Sequence, residues 1–89
     1  MYAISKRTKQ IAKYFGYDVY PSNVGYHKIA VYRDGKKIAD VGDIRYMDYH
    51  QYRKINKDLA EKKRKAYASR HRANIKKGRG RLAWILLWN

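Results

Sequence analysis

The chain of 89 residues contains no cysteine, a single proline and only seven acidic side chains. Without cysteine, neither a disulfide framework nor a thiolate metal site can form. Long apolar runs are also missing. The longest, Leu82 to Trp88, falls well short of the roughly 20 residues that a membrane-spanning helix needs. The opening residues, Met1-Tyr2-Ala3-Ile4-Ser5-Lys6-Arg7, lack the apolar stretch of a secretory signal. The expectation is therefore a protein without a membrane span, placed inside a cell or packed into a particle.

The scarcity of acid sets the charge, since 22 Lys and Arg stand against 7 Asp and Glu, a formal +15. It is uneven: residues 1–50 carry 9 basic and 5 acidic side chains, and residues 51–89 carry 13 and 2. Charge of one sign at this density repels itself and attracts any polyanion, nucleic acid first and acidic protein or anionic surfaces after it. A chain this short supports one small domain with a modest core.

Four stretches organise the sequence. In residues 1–16, Ser5 is placed to cap a helix that runs to about Phe15, with Ile4, Thr8, Ile11, Ala12 and Phe15 roughly on one side and Gly16 as its stop. Residues 17–42 form a β-hairpin region: Tyr26–Arg33 and Lys36–Val41 are β-prone runs joined by Asp34-Gly35, the dipeptide of a type I′ turn. Alternation puts Tyr26, Lys28, Ala30 and Tyr32 on one face and His27, Ile29, Val31 and Arg33 on the other. Ile38 and Val41 sit three apart, so the buried face stays open. Residues 43–77 are expected to be helical and basic. Tyr46, Tyr49 and Tyr52 recur at helical spacing, and a long helix capped by Asn56 or Asp58 extends to about Ile75. Residues 78–89 are a Gly78-Arg79-Gly80 hinge and an apolar segment that is either a helical turn, with Trp84 above Trp88, or an extended strand. The fold class expected is α+β.

The largest candidate site is polyanion binding by Lys62, Lys63, Arg64, Lys65, Arg70, Arg72, Lys76, Lys77, Arg79 and Arg81, with Tyr67 and His71 interleaved for stacking on bases. The alternative is a helix whose charges simply face water. A second candidate is a partner anchor made of Trp84, Ile85, Leu87 and Trp88, since buried Trp and Arg are typical interface hot spots; the same residues could instead close the protein's own core. The ten tyrosines are either an aromatic contact surface or the rim of a small core. His27, His50 and His71 are scattered among lysines and make neither a metal site nor a triad with the hydroxyl candidates Ser5, Ser22 and Ser69, so no catalytic residue, metal or cofactor is expected.

The order of short motifs carries a resemblance. Tyr26 to Tyr32, then Asp34-Gly35-Lys36-Lys37-Ile38, Val41-Gly42, Tyr46, Asp48-Tyr49, Lys63-Arg64, Tyr67, Arg70-His71, a glycine-containing spacer and Leu86-Leu87-Trp88-Asn89 resemble a family of small basic proteins encoded by large DNA viruses, including giant algal and amoebal viruses. The resemblance covers roughly residues 26–89. It departs from the family at Ala39-Asp40, where members tend to carry His-Phe. It implies a viral origin. With the charge block and the apolar segment beside it, the further expectation is a place in the virion, with capsid or other virion proteins as partners. The expected function is a non-enzymatic structural protein, a minor capsid or cement-like component that bridges capsid protein and genome or acidic surfaces. The alternative is a DNA-binding architectural or packaging protein that acts through phosphate contacts.

Overall fold

A computed structural model describes residues 2–89. Four helices and a three-stranded antiparallel sheet make an α+β protein. The chain divides into two compact units, one ending at Tyr46 and the other covering Met47–Asn89.

The first unit opens with α1 (Lys6–Tyr14). The Thr8 amide donates to Ser5 Oγ at 3.1 Å, which satisfies one of the amides that a helix start leaves without a partner. At the other end Gly16 takes φ +79°, its amide donates to Lys13 O, and the Tyr17 amide donates to Ala12 O. That pair of bonds is a Schellman closure, and it turns the chain into the sheet. Thr8 and Ala12 are buried, whereas Phe15 at the end of the expected stripe is exposed.

The sheet has the order β1 (Asp18–Pro21), β2 (Ile29–Arg33), β3 (Lys36–Val41). The β2–β3 turn has positive φ at both Asp34 and Gly35, as a type I′ turn requires. A register shift between Val31 and Tyr32 leaves Ile38 of β3 without a cross-strand partner: Val31 faces Ala39 and Tyr32 faces Lys37. Ile38 at the bulge is exposed while Val41 is buried, so the two apolar residues three apart do not share a buried face. The open question of the buried face resolves to both faces of the central strand, since Ile29 and Val31 on one side and Lys28 and Ala30 on the other are buried. The Lys28 ammonium lies 5.1 Å from the centre of the Tyr2 ring.

Two loops meet beyond the sheet, where Ile44 N donates to Tyr26 O and His27 Nδ1 donates to Gly42 O at 3.0 Å. Asp43 then accepts both Nε and Nη2 of Arg45 as well as its backbone amide. These bonds, the side-chain ones foremost, lower the Asp43 carboxyl to about 2. A folded value below the ordinary carboxylate range means that this contact stabilises the fold fully above about pH 4 and is lost as pH falls toward 2. Carbon-detected NMR titration should place the Asp43 midpoint well below 3; a midpoint near 4 would show that the guanidinium does not hold the carboxylate in solution.

The second unit starts with α2 (Tyr49–Ile55). Asp48 and Gln51 form a reciprocal capping box at its start, with bonds of 3.0 and 2.9 Å. Asn56 caps α3 (Lys57–Arg70) by accepting the amides of Asp58 and Leu59. The expected extension to Ile75 does not occur. The helix ends at Arg70, and residues 71–73 turn into a short 3-10 helix, Asn74–Lys76. Helix-forming composition there yields to packing, because the 3-10 turn lies against α4 (Gly78–Leu87).

The expected Gly78-Arg79-Gly80 hinge is corrected as well, since these residues form the first turn of α4. Gly78 has φ +61°. Gly80 sits where a Cβ would stand 2.0 Å from Asn74 O and 2.7 Å from Asn74 C. Gly80 permits a close approach of two backbones and Gly78 supplies a positive φ, so neither serves to loosen the chain. The apolar segment is therefore helical, with Leu82, Leu86 and Leu87 buried.

Candidate nucleic-acid interface

Helix α3 divides into two sides. Ala60, Arg64, Tyr67 and Ala68, followed by His71, recur at three- and four-residue spacing and are buried or half-buried. Lys62, Lys65 and Ser69 recur on another side and are exposed, as are Lys63 and Arg70. Arg72, Lys76 and Lys77 in the turn, and Arg79 and Arg81 at the start of α4, are exposed too. From Lys62 to Asn89 there is no Asp or Glu. The acids that precede this stretch are partly committed, since Asp48 caps α2 and Glu61 accepts a hydrogen bond from Tyr49 Oη. That bond, with burial, raises the Tyr49 phenol above its ordinary pKa. The ion pairs Lys37–Asp40 and Arg45–Asp43 lie in the first unit. Nine of the ten expected cations are thus displayed on one acid-free stretch.

The tenth is Arg64, which is committed inside its own unit. Its Nε donates to Trp88 O at 2.8 Å and its Nη2 to Asn89 Oδ1 at 2.7 Å. The guanidinium carbon lies 4.9 Å from the Trp84 ring centre, and Asn89 Nδ2 donates to Trp84 O at 2.7 Å. Arg64 therefore fastens α3 to the end of α4. Its signal was present in the sequence as a position four after Ala60 and three before Tyr67, but the Lys62-Lys63-Arg64-Lys65 run hid it. Arg64→Met should lower unfolding stability by about 2–3 kcal/mol, because two charge-assisted bonds go and the Trp88 carbonyl loses its guanidinium. Arg64→Lys, with no planar fork, should recover only part of this. Urea melts of the three proteins would test both expectations; a variant within about 0.5 kcal/mol of the parent would show that the fork is dispensable.

The proposed partner anchor is also redistributed. Leu87 and Trp88 are 1% and 8% exposed, and Trp88 stacks on Tyr67 with ring centres 4.3 Å apart. These two side chains are taken up by the fold, while Trp84 and Ile85 keep partial exposure. The residue pairs that carried the family resemblance converge here: Tyr49, Arg64, Tyr67, His71, Trp88 and Asn89 lie within one network of stacking and hydrogen bonds. Burial raises the Tyr67 phenol above its ordinary pKa.

The tyrosines split between the two readings. Tyr14, Tyr20, Tyr26 and Tyr46 are exposed, at up to 83% for Tyr14, and all belong to the first unit; Tyr49 is buried. Sequence reasoning overlooked Arg53, Lys54 and Lys57, which are exposed cations ahead of the main run. Lys6, Lys9 and Lys13, which the sequence places off the apolar side of α1 and outside the candidate site, are all exposed and at helical spacing.

Among the described residues no three His, Asp or Glu side chains come together as a group that could hold a metal ion. No helix among the described residues is long and apolar enough to cross a membrane. Comparison with protein-family models, with curated proteins and with solved structures finds no match to the chain.

Proposed function

We propose that this is a non-enzymatic nucleic-acid-binding protein, architectural or packaging in role, whose second unit lies against phosphates without reading sequence. The observation that carries the reading is the acid-free stretch from Lys62 onward with nine exposed cations. Phosphate contacts need such cations and no base-specific geometry. The viral family that the motifs resemble makes a virion the natural setting, with the genome as the polyanion.

A chain at +15 binds nucleic acid at low salt whatever its shape, so the test compares surfaces at constant charge. Lys62, Lys63 and Lys65 are replaced by Gln in one variant, and Lys6, Lys9 and Lys13 of α1 in another. At about 150 mM salt the α3 variant should lose on the order of a hundredfold in affinity for a duplex, and the α1 variant much less. Equal losses would reduce the binding to net charge and defeat the reading.

A second reading is a minor capsid or cement-like role that bridges genome and capsid protein. It is favoured by the exposed Tyr14, Tyr20, Tyr26, Ile38, Ile44 and Tyr46 of the first unit, since apolar and aromatic side chains left on a surface are what a protein partner covers. The anchor in this reading moves from the apolar segment to the first unit. Separation of particles into shell and genome-bound core, with mass spectrometry of each, distinguishes the two: enrichment with the shell at a lattice-linked stoichiometry supports bridging, and enrichment with the genome supports packaging.

A further inference from the structure

Tyr67 holds a ring on each face. The His71 ring centre lies 4.3 Å away at an interplanar angle of 29°, and that of Trp88 lies 4.3 Å away at 16°. Two rings at that distance cannot share one face without overlapping, so Trp88, Tyr67 and His71 form a column. Trp88 is buried, while Tyr67 and His71 are half-buried. The column therefore runs from the interior toward the surface and ends at His71, which stacks on Tyr67.

The surroundings of that end ring are cationic. Arg70 and Arg72 flank His71 in sequence and are exposed, and Lys76 and Lys77 follow after one turn of chain. An aromatic face beside several phosphate-binding cations is the arrangement that single-stranded nucleic acid uses, with a base on the ring and its backbone on the charges. A duplex does not offer this, because its bases are stacked on one another. A hydrophobic partner is disfavoured by the charge, and an acidic peptide would use the cations and leave the ring idle.

We propose that His71 is a stacking platform for an unpaired base, so that the second unit prefers single-stranded over double-stranded nucleic acid of equal charge density. The proposal rests on the phosphate-contact reading and specifies its ligand. Tyr67 and Trp88 act behind His71 as positioning residues, since they fix the plane of its ring.

The test uses the full chain at about 150 mM salt and three labelled probes of about twelve nucleotides: oligothymidine, an abasic strand with the same phosphates, and a duplex. His71→Ala should weaken oligothymidine binding by roughly fivefold to a hundredfold and leave the abasic strand and the duplex unchanged. His71→Phe, which keeps a ring at the end of the column, should restore oligothymidine binding. Equal effects of His71→Ala on all three probes, or none on any, would overturn the platform while binding of the abasic strand upheld the phosphate reading. Failure of the parent protein to bind any probe would sink both. Should His71→Ala unfold, the parent decides: His71 ring protons should move upfield with oligothymidine and stay in place with the abasic strand, and no difference between the two would overturn the proposal.

Discussion

Affinity for duplex DNA is expected to fall by about three decades between about 50 and 200 mM salt, the slope that follows if about six phosphates are neutralised. Nine exposed cations lie between Lys62 and Arg81, so six is a conservative footprint. The slope also separates residues. Replacing Lys62, Lys63 and Lys65 by Gln should flatten the log–log plot by roughly 2–3 units, because each lost contact removes about one released counterion. Arg64→Gln should leave the slope unchanged, although it belongs to the same four-residue run, since its guanidinium is spent on Trp88 and Asn89. Titrations by fluorescence anisotropy at four salt concentrations would measure this. A slope near zero, or an Arg64 variant that flattens it as much as Lys62 does, would refute the assignment of roles within the run.

The second large effect is structural: Gly80→Ala should cost about 3 kcal/mol or more of unfolding stability. A new methyl group normally finds relief in a neighbouring side chain that changes rotamer. Here the atoms met are Asn74 O at 2.0 Å and Asn74 C at 2.7 Å, both backbone, so relief requires α4 and the 3-10 turn to part. Overpacking of a tight contact costs about 1–3 kcal/mol where side chains can yield, and rigid backbone places this site at or above the top of that range. A domain of this size has a total stability on the order of 5–10 kcal/mol, so the second unit should lose the seat of α4. Urea melts followed by tryptophan fluorescence report on it directly, because both tryptophans, Trp84 and Trp88, lie in this region. Gly80→Ala at parental stability would mean that the two backbones stand farther apart in solution.

Much of the local structure was legible because it depends on single residues with one physical task. Ser5, Gly16, Asp34-Gly35 and Asn56 each do in the fold what their side chains, or the lack of one, suggest. What escaped was set by contacts between distant segments. The end of α3 at Arg70 and the helical start at Gly78 follow from the approach of Gly80 to Asn74, which no local propensity encodes. In the candidate site, exposure of nine cations was legible from charge. The removal of Arg64 was legible only from periodicity, and its partners Trp88 and Asn89 lie 24 and 25 residues farther on. Leu87 and Trp88 show the same limit: an apolar segment reads alike whether it meets its own chain or another.

The strand order β1-β2-β3 has a kinetic consequence. Each strand pairs with its neighbour in sequence, α2 packs on α3, and the 3-10 turn packs on α4, so many of the native contacts require only short loops to close. Chains with such local wiring fold on the order of milliseconds or faster. For a polypeptide that any nearby polyanion attracts before it has a shape, rapid closure shortens the interval in which it can be captured unfolded.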